Sequence, residues 1–145
     1  MQQKGNPLYR INDFFEAYAQ AVERQDSKYV SNCFALPCTF IADDASQVYT
    51  TEVKLEGLVN QGKRFYAIHG ITHVIPDIKS KSSITQRLVR VTLNWKYTDK
   101  KGLTVYDCDY YYILKLDEQD QWKIEVAISV NEKEKIDTLT KKAAI

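Results

Sequence analysis

The sequence predicts an α+β domain whose N-terminal helices pack on a strongly curved, mixed or antiparallel sheet, in the order α-α-β-(β)-α-β-β-β-β. Three observations carry this expectation. Apolar residues recur at helical spacing as far as Gly70, the period changes to two from Thr72 onward, and the later runs are joined by short turn-forming segments that favour antiparallel neighbours. At 145 residues the chain is long enough for one core and one domain.

Asn6-Pro7 is a helix-start pair, and Ile11, Phe14, Phe15, Tyr18 and Val22 then share one stripe, giving a first helix over about Pro7 to Arg24. Asp26 caps a short second helix carrying Tyr29, Val30, Cys33 and Phe34. Leu36-Pro37 ends it, because the residue before proline avoids helical geometry. Cys38 to Ala42 reads as a strand, Asp43-Asp44-Ala45-Ser46 as a turn, and Gln47 to Thr50 as a short return strand. Thr50 or Thr51 caps a third helix that stops at Gly70, the left-handed cap residue. Four strands follow: Thr72 to Ser82, Thr85 to Thr98, Leu103 to Leu116, and Gln121 to Val130. The middle pair exceeds the usual strand length of about 5–6 residues, so the sheet should twist and bend and thereby enclose an inside. The domain is expected over residues 7–130, between a flexible N-terminus (1–6) and a charged, loosely held tail (131–145).

Composition excludes several function classes. Apolar residues make up 44% and charged residues 27%, with no run long enough to span a bilayer, which argues against a membrane protein. The N-terminal segment lacks the features of a secretory signal, so a cytoplasmic location is expected. A formal net charge of +1 with interspersed signs supplies no field that would gather nucleic acid. Cys33, Cys38 and Cys108 show no ligand spacing and read as buried apolar groups, and no metal is expected. His69 and His73 stand four apart, but Gly70 interrupts the helix that would align them. With no phosphate-cradling glycine loop and no dinucleotide fingerprint, no cofactor is expected.

Alternation along the strands sets the faces. Val89, Val91, Leu93, Trp95 and Tyr97 form one inside face, and Trp122, Ile124, Val126, Ile128 and Val130 another. The strand from Leu103 is covered on both sides: Val105, Asp107, Asp109, Tyr111 and Ile113 on one, and Tyr106, Cys108, Tyr110, Tyr112, Leu114 and Leu116 on the other. Two readings follow. Either Asp107 and Asp109 point under the helices while the aromatic face packs on a second subunit, or the tyrosines fill the core and the aspartates meet water. A β-bulge could also shift the phase along the strand.

The motifs Phe14-Phe15-x-x-Tyr18, Asp26, Phe34-Ala35-x-Pro37-Cys38-Thr39-Phe40-Ile41, Asp109-Tyr110-Tyr111 and Trp122-Lys123-Ile124, in this element order, resemble the nuclear transport factor 2-like superfamily over about residues 7 to 130. That superfamily includes ketosteroid isomerase and the SnoaL-like polyketide cyclases. The resemblance implies a cystatin-like cone enclosing a cavity, and dimerisation through the sheet. It also implies an oxyanion donor at Tyr18 and an acid at Asp109, whereas the proton-moving base falls at Ala42, with Asp43 one residue later.

The favoured expectation is a homodimeric, non-catalytic domain, paired through its outer sheet face, that holds a small hydrophobic ligand. Phe14, Tyr18, Phe65, Trp95, Tyr97, Tyr111 and Trp122 are the candidate ligand-binding residues. The alternative is a small acid–base enzyme of isomerase, cyclase or dehydratase type acting on a hydrophobic carbonyl or polyketide-like substrate. Its candidate catalytic residues are Asp109, Tyr18, Asp43 and His73. Asp109 stands out because aspartate opposes strand propensity.

Overall fold

A computed structural model of the chain describes Leu8 and residues 10–144. The expected Asn6-Pro7 cap and the N-terminal segment 1–6 lie outside the described residues. Helix α1 (Ile11–Arg24) buries Ile11, Phe15, Ala19 and Ala21. Helix α2 (Ser27–Asn32) starts at Asp26, whose carboxylate accepts the Tyr29 N–H at 3.2 Å. It ends at Asn32, earlier than the sequence suggests, because Phe34 already belongs to strand β1 (Phe34–Ala42) and pairs with Ile124. Strand β2 (Ala45–Tyr49) returns through a turn of Asp43 and Asp44 alone, since Ala45 and Ser46, expected in the turn, already pair with β1. Helix α3 (Glu52–His69) is capped by Thr51, whose hydroxyl accepts the Lys54 N–H at 3.3 Å. It stops at Gly70, where φ is 68°.

Strands β3 (His73–Ser83), β4 (Leu88–Thr98), β5 (Thr104–Leu116) and β6 (Trp122–Ser129) form the expected meander. The sheet order is β2-β1-β6-β5-β4-β3, antiparallel except where β1 runs parallel to β6. Helices α1, α2 and α3 cover its inner face. Phe15, Trp95, Tyr112 and Tyr18 form the centre of the core, and the Trp95 indole N–H donates to the Tyr112 hydroxyl at 2.8 Å. Glu23 ties α1 to the edge strand by accepting the Val74 N–H at 2.8 Å.

Two features depart from expectation. First, the register between β5 and β6 shifts at Glu125: Ile124 pairs with Leu114, but Val126 pairs with Ile113. Up to Ile124 the apolar residues point inward as expected. Beyond the bulge, buried Ala127 takes the inner position and Val126 and Ile128 turn to the outer face. Second, the segment expected to be a loose tail forms helix α4 (Glu132–Ala144), which packs on β5. Its apolar residues are too sparse to read as an amphipathic stripe. Ile136 and Leu139 pack against the core, and polar contacts from Glu132 and Lys135 to β5 add to them.

Candidate functional site

Side-chain parity on β5 is settled by burial. Tyr106, Cys108, Tyr112 and Leu114 are buried under the helices, whereas Asp107 and Asp109 lie on the outer face and Tyr111 is 43% exposed there. Two site expectations are therefore corrected. Asp109 does not enter the hollow, and Tyr111 does not line it, because both share the parity opposite to Tyr110 and Tyr112. The aromatic face of β5 likewise fills the core instead of covering an outer surface.

The other expected residues divide in the same way. Tyr18, Trp95 and Tyr97 line the hollow. Phe14, Phe65 and Trp122 are packing residues set back from it: Phe14 meets Phe15 edge-on, Phe65 meets Tyr106 edge-on, and Trp122 is buried at the start of β6. Asp43 is exposed in the β1–β2 turn, and His73 is exposed at the start of β3, where its Nδ1 lies 2.9 Å from the Thr72 hydroxyl. Of the four catalytic candidates, only Tyr18 faces the hollow. Among the described residues no cluster of three or more metal-ligating side chains occurs, and no helix is long and apolar enough to cross a membrane.

The hollow itself comprises connected spaces. One of about 280 Å³ lies between α1, α2 and α3, walled by Tyr18, Val22, Phe34, Phe40, Val59 and Tyr66. A deeper space of about 100 Å³ reaches Trp95, Tyr97 and Ala127, and an open groove of about 350 Å³ runs between β1–β2 and α4. The bulge at Glu125 makes room for both, since it leaves Ala127 on the inside where the larger Val126 or Ile128 would otherwise stand.

Sequence reasoning missed the polar centre of this space. Glu132, the first residue of α4, accepts a hydrogen bond from the Tyr110 hydroxyl at 2.5 Å on one carboxylate oxygen and from the Tyr106 hydroxyl at 3.0 Å on the other. Glu132 and Tyr110 line both the 280 Å³ space and the groove, so the carboxylate stands where the two meet. Burial, and then the charge of Glu132, raises the pKa of both phenols, which keeps them protonated as donors. Burial also raises Tyr18, Tyr66, Tyr97 and Tyr112, so the aromatic wall is neutral. The thiols are held protonated by burial too, Cys33 pushed up to about 12 and Cys38 to about 11, with Cys108 also raised. The available signal for Glu132 was an acid followed by a weak Ile136/Leu139 pattern just beyond the last strand.

The outer-face aspartates explain why α4 sits where it does. Asp109 accepts from Asn94 at 3.0 Å and from Asn131 at 3.1 Å, while its own N–H donates to the Asn131 side chain at 2.8 Å. Asp107 accepts from Asn94 at 2.9 Å and meets the Lys135 ammonium at 3.4 Å. The Asn94 hydrogen bond, assisted by Lys135, holds the Asp107 carboxyl below the usual carboxylate range. These contacts clasp the β6–α4 turn to β5 and so deliver Glu132 to the inside.

The family model that matches the chain is described as NTF2-like protein (DUF6841) and spans residues 8–132. Among solved structures, an NTF-2 like protein of unknown function from Shewanella oneidensis has a TM-score of 0.65 at 14% identity, covering 83% of this chain and 95% of that one. A domain of unknown function with a cystatin-like fold from Nostoc punctiforme has a TM-score of 0.67 at 14% identity, covering 93% and 84%. A ketosteroid isomerase-like protein from Erwinia carotovora has a TM-score of 0.58 at 14% identity, covering 83% and 92%. At such identities the likeness is one of fold. No curated protein matches the chain. The family model covers nearly all of the helix-covered sheet and the same architecture recurs in these structures, so the chain belongs to the NTF2-like protein family (DUF6841).

Proposed function

We propose that the domain is a receptor for a small, mainly hydrophobic molecule held in the hollow between α1–α3 and the sheet, and that two copies associate through their outer sheet faces. The observation that carries the ligand half is a mainly apolar space of about 280 Å³, just below the size usual for ligand sites, with a single carboxylate in its lining where it meets the groove. Support for the dimer comes from the bulge. On the outer face it aligns Ile41, Ile128 and Tyr111 in one row across β1, β6 and β5, and Val126 with Ile113 in the next. Tyr111 is exposed and the others are half-buried, and apolar rows that reach the surface in this way are what subunit contacts cover.

Gly62 provides the test of the ligand half. It lines the space, and a Cβ built there meets nothing within 4 Å. Gly62→Leu should fill the hollow from α3 and abolish binding of small apolar probes such as 2-phenylethanol. Stability should hold or rise, since leaving glycine in a helix interior gains about 0.5–1 kcal/mol. Undiminished binding by this variant, or failure of apolar probes to bind or stabilise the wild type, would refute the reading. The acid–base alternative moves to Glu132, with Tyr18 across the same space as hydroxyl donor. Turnover of a hydrophobic carbonyl compound that persisted in Glu132→Gln would eliminate it.

A further inference from the structure

We infer that the ligand is a cationic amine on an apolar body, its ammonium anchored by Glu132 and its body lying against the aromatic wall. This rests on the cavity reading above and specifies the ligand class. Three observations support it. The Glu132 carboxylate is half-buried where a mainly apolar space meets the groove, and it is the one carboxylate among the described residues lining that space. Each of its oxygens accepts one phenol, from Tyr110 and Tyr106, and a carboxylate oxygen has room for a second donor, so the group is oriented but not saturated. Among the described residues no lysine, arginine or histidine forms an ion pair with it. Lys133, on the groove side, is instead paired with Asp137 at 3.1 Å, and Lys63 is exposed at the mouth of the space.

Both phenols direct their hydroxyl protons at Glu132, so each meets the carboxylate as a donor. The cluster therefore presents acceptor capacity to the space, and the lysine that also lines it, Lys63, forms no ion pair with Glu132. Tyr18, Phe34, Phe40 and Tyr66 line the same space. Rings near a carboxylate suit a protonated amine twice over, through direct ion pairing and through attraction of the cation to the π-faces. A neutral ligand would leave the charge without a counter-ion, and an anion would be repelled. At about 280 Å³ the space lies close to the lower bound of about 300 Å³ for small-molecule sites, which suits a ligand built on a single ring.

The test titrates the protein, in amine-free buffer, with 2-phenylethylamine, 2-phenylethanol and phenylacetate, which carry a cationic, a neutral and an anionic head on a phenyl body. The wild type should bind the amine at least tenfold more tightly than the alcohol and phenylacetate least of all, and Glu132→Gln should reduce the amine to the level of the alcohol. Equal binding of amine and alcohol by the wild type, or preference for phenylacetate, overturns the amine assignment and leaves the apolar receptor standing. An amine preference that survives intact in folded Glu132→Gln overturns Glu132 as the anchor. Failure of all three to bind takes down the receptor reading together with this one. If Glu132→Gln does not fold, the wild-type ranking of the three probes decides.

Discussion

Replacing Asp109 by alanine tests the central assertion about this site, that the outer-face carboxylate positions α4 and with it the Glu132 carboxylate. The substitution removes two side-chain hydrogen bonds, from Asn94 at 3.0 Å and from Asn131 at 3.1 Å, and leaves Asn94 its bond to Asp107. The backbone contacts from the Asp109 N–H to Asn131 and from the Val130 N–H to the Asp109 carbonyl do not need the side chain and should persist. Hydrogen bonds to a carboxylate contribute about 1.5–3 kcal/mol each when desolvated, and partial exposure here places them at the low end, so the loss should total about 2–3 kcal/mol. For a chain of this size that lowers Tm by roughly 5–10 °C. Urea unfolding should show the lower midpoint with an unchanged slope. Amide exchange should rise first in Glu132–Ala144 while β3 and β4 keep their protection. If α4 stays as protected as in the wild type, or if stability changes by less than about 0.5 kcal/mol, the clasp does not hold the helix and the account of how Glu132 reaches the hollow fails.

Further outcomes follow from the same geometry. Tyr106→Phe and Tyr110→Phe should each cost about 1–2 kcal/mol in the wild type and much less in a Glu132→Leu background, a coupling that a double-mutant cycle measures. Alkaline pH should unfold the protein. Six phenols (Tyr18, Tyr66, Tyr97, Tyr106, Tyr110 and Tyr112) have folded pKa values raised above the unfolded value near 10, so their contribution is complete below pH 10. It is lost above that pH, at up to about 1.4 kcal/mol per pH unit for each phenol, and the unfolding free energy followed against pH should show the fall. Ile128→Asp should convert a dimer in dilute solution to monomer by sedimentation, and a wild type already monomeric at micromolar concentration would remove the outer-face interface. Cys33, Cys38 and Cys108, all buried with raised pKa values, should react with a thiol reagent only as fast as the chain opens.

Several features of this molecule were fixed by local chemistry. Asp26 and Thr51 cap the helices they were expected to cap, Gly70 ends α3, and the alternation of Val89, Val91, Leu93, Trp95 and Tyr97 sets the inside of β4. Tyr18, Trp95 and Tyr97 were legible as lining residues because helical stripe and strand parity both aim them at the core. Other features depended on neighbours distant in sequence. On β5 both faces are rich in tyrosine or β-branched residues, so alternation names two faces without saying which one the helices cover. Asp109 is an aspartate in an aromatic strand, and it is held there by a clasp with Asn94 and Asn131, 15 and 22 residues away.

The amino-acid pattern by itself determined the types and order of the elements as far as β6, the boundaries that caps and glycines mark, and a curved sheet under helices, because each depends on residues within a turn or two of one another. Tertiary pairing decided which face of β5 is inner, where β6 slips phase at Glu125, and that Glu132 on α4 enters the hollow. The slip leaves Ala127 facing inward and sends Ile128 outward, so one unpaired residue both makes room for the cavity and adds apolar side chains to the outer face. Such a slip is stabilised by the combined register of β5, β6 and β1, an energy shared among three strands that no single stretch of sequence displays.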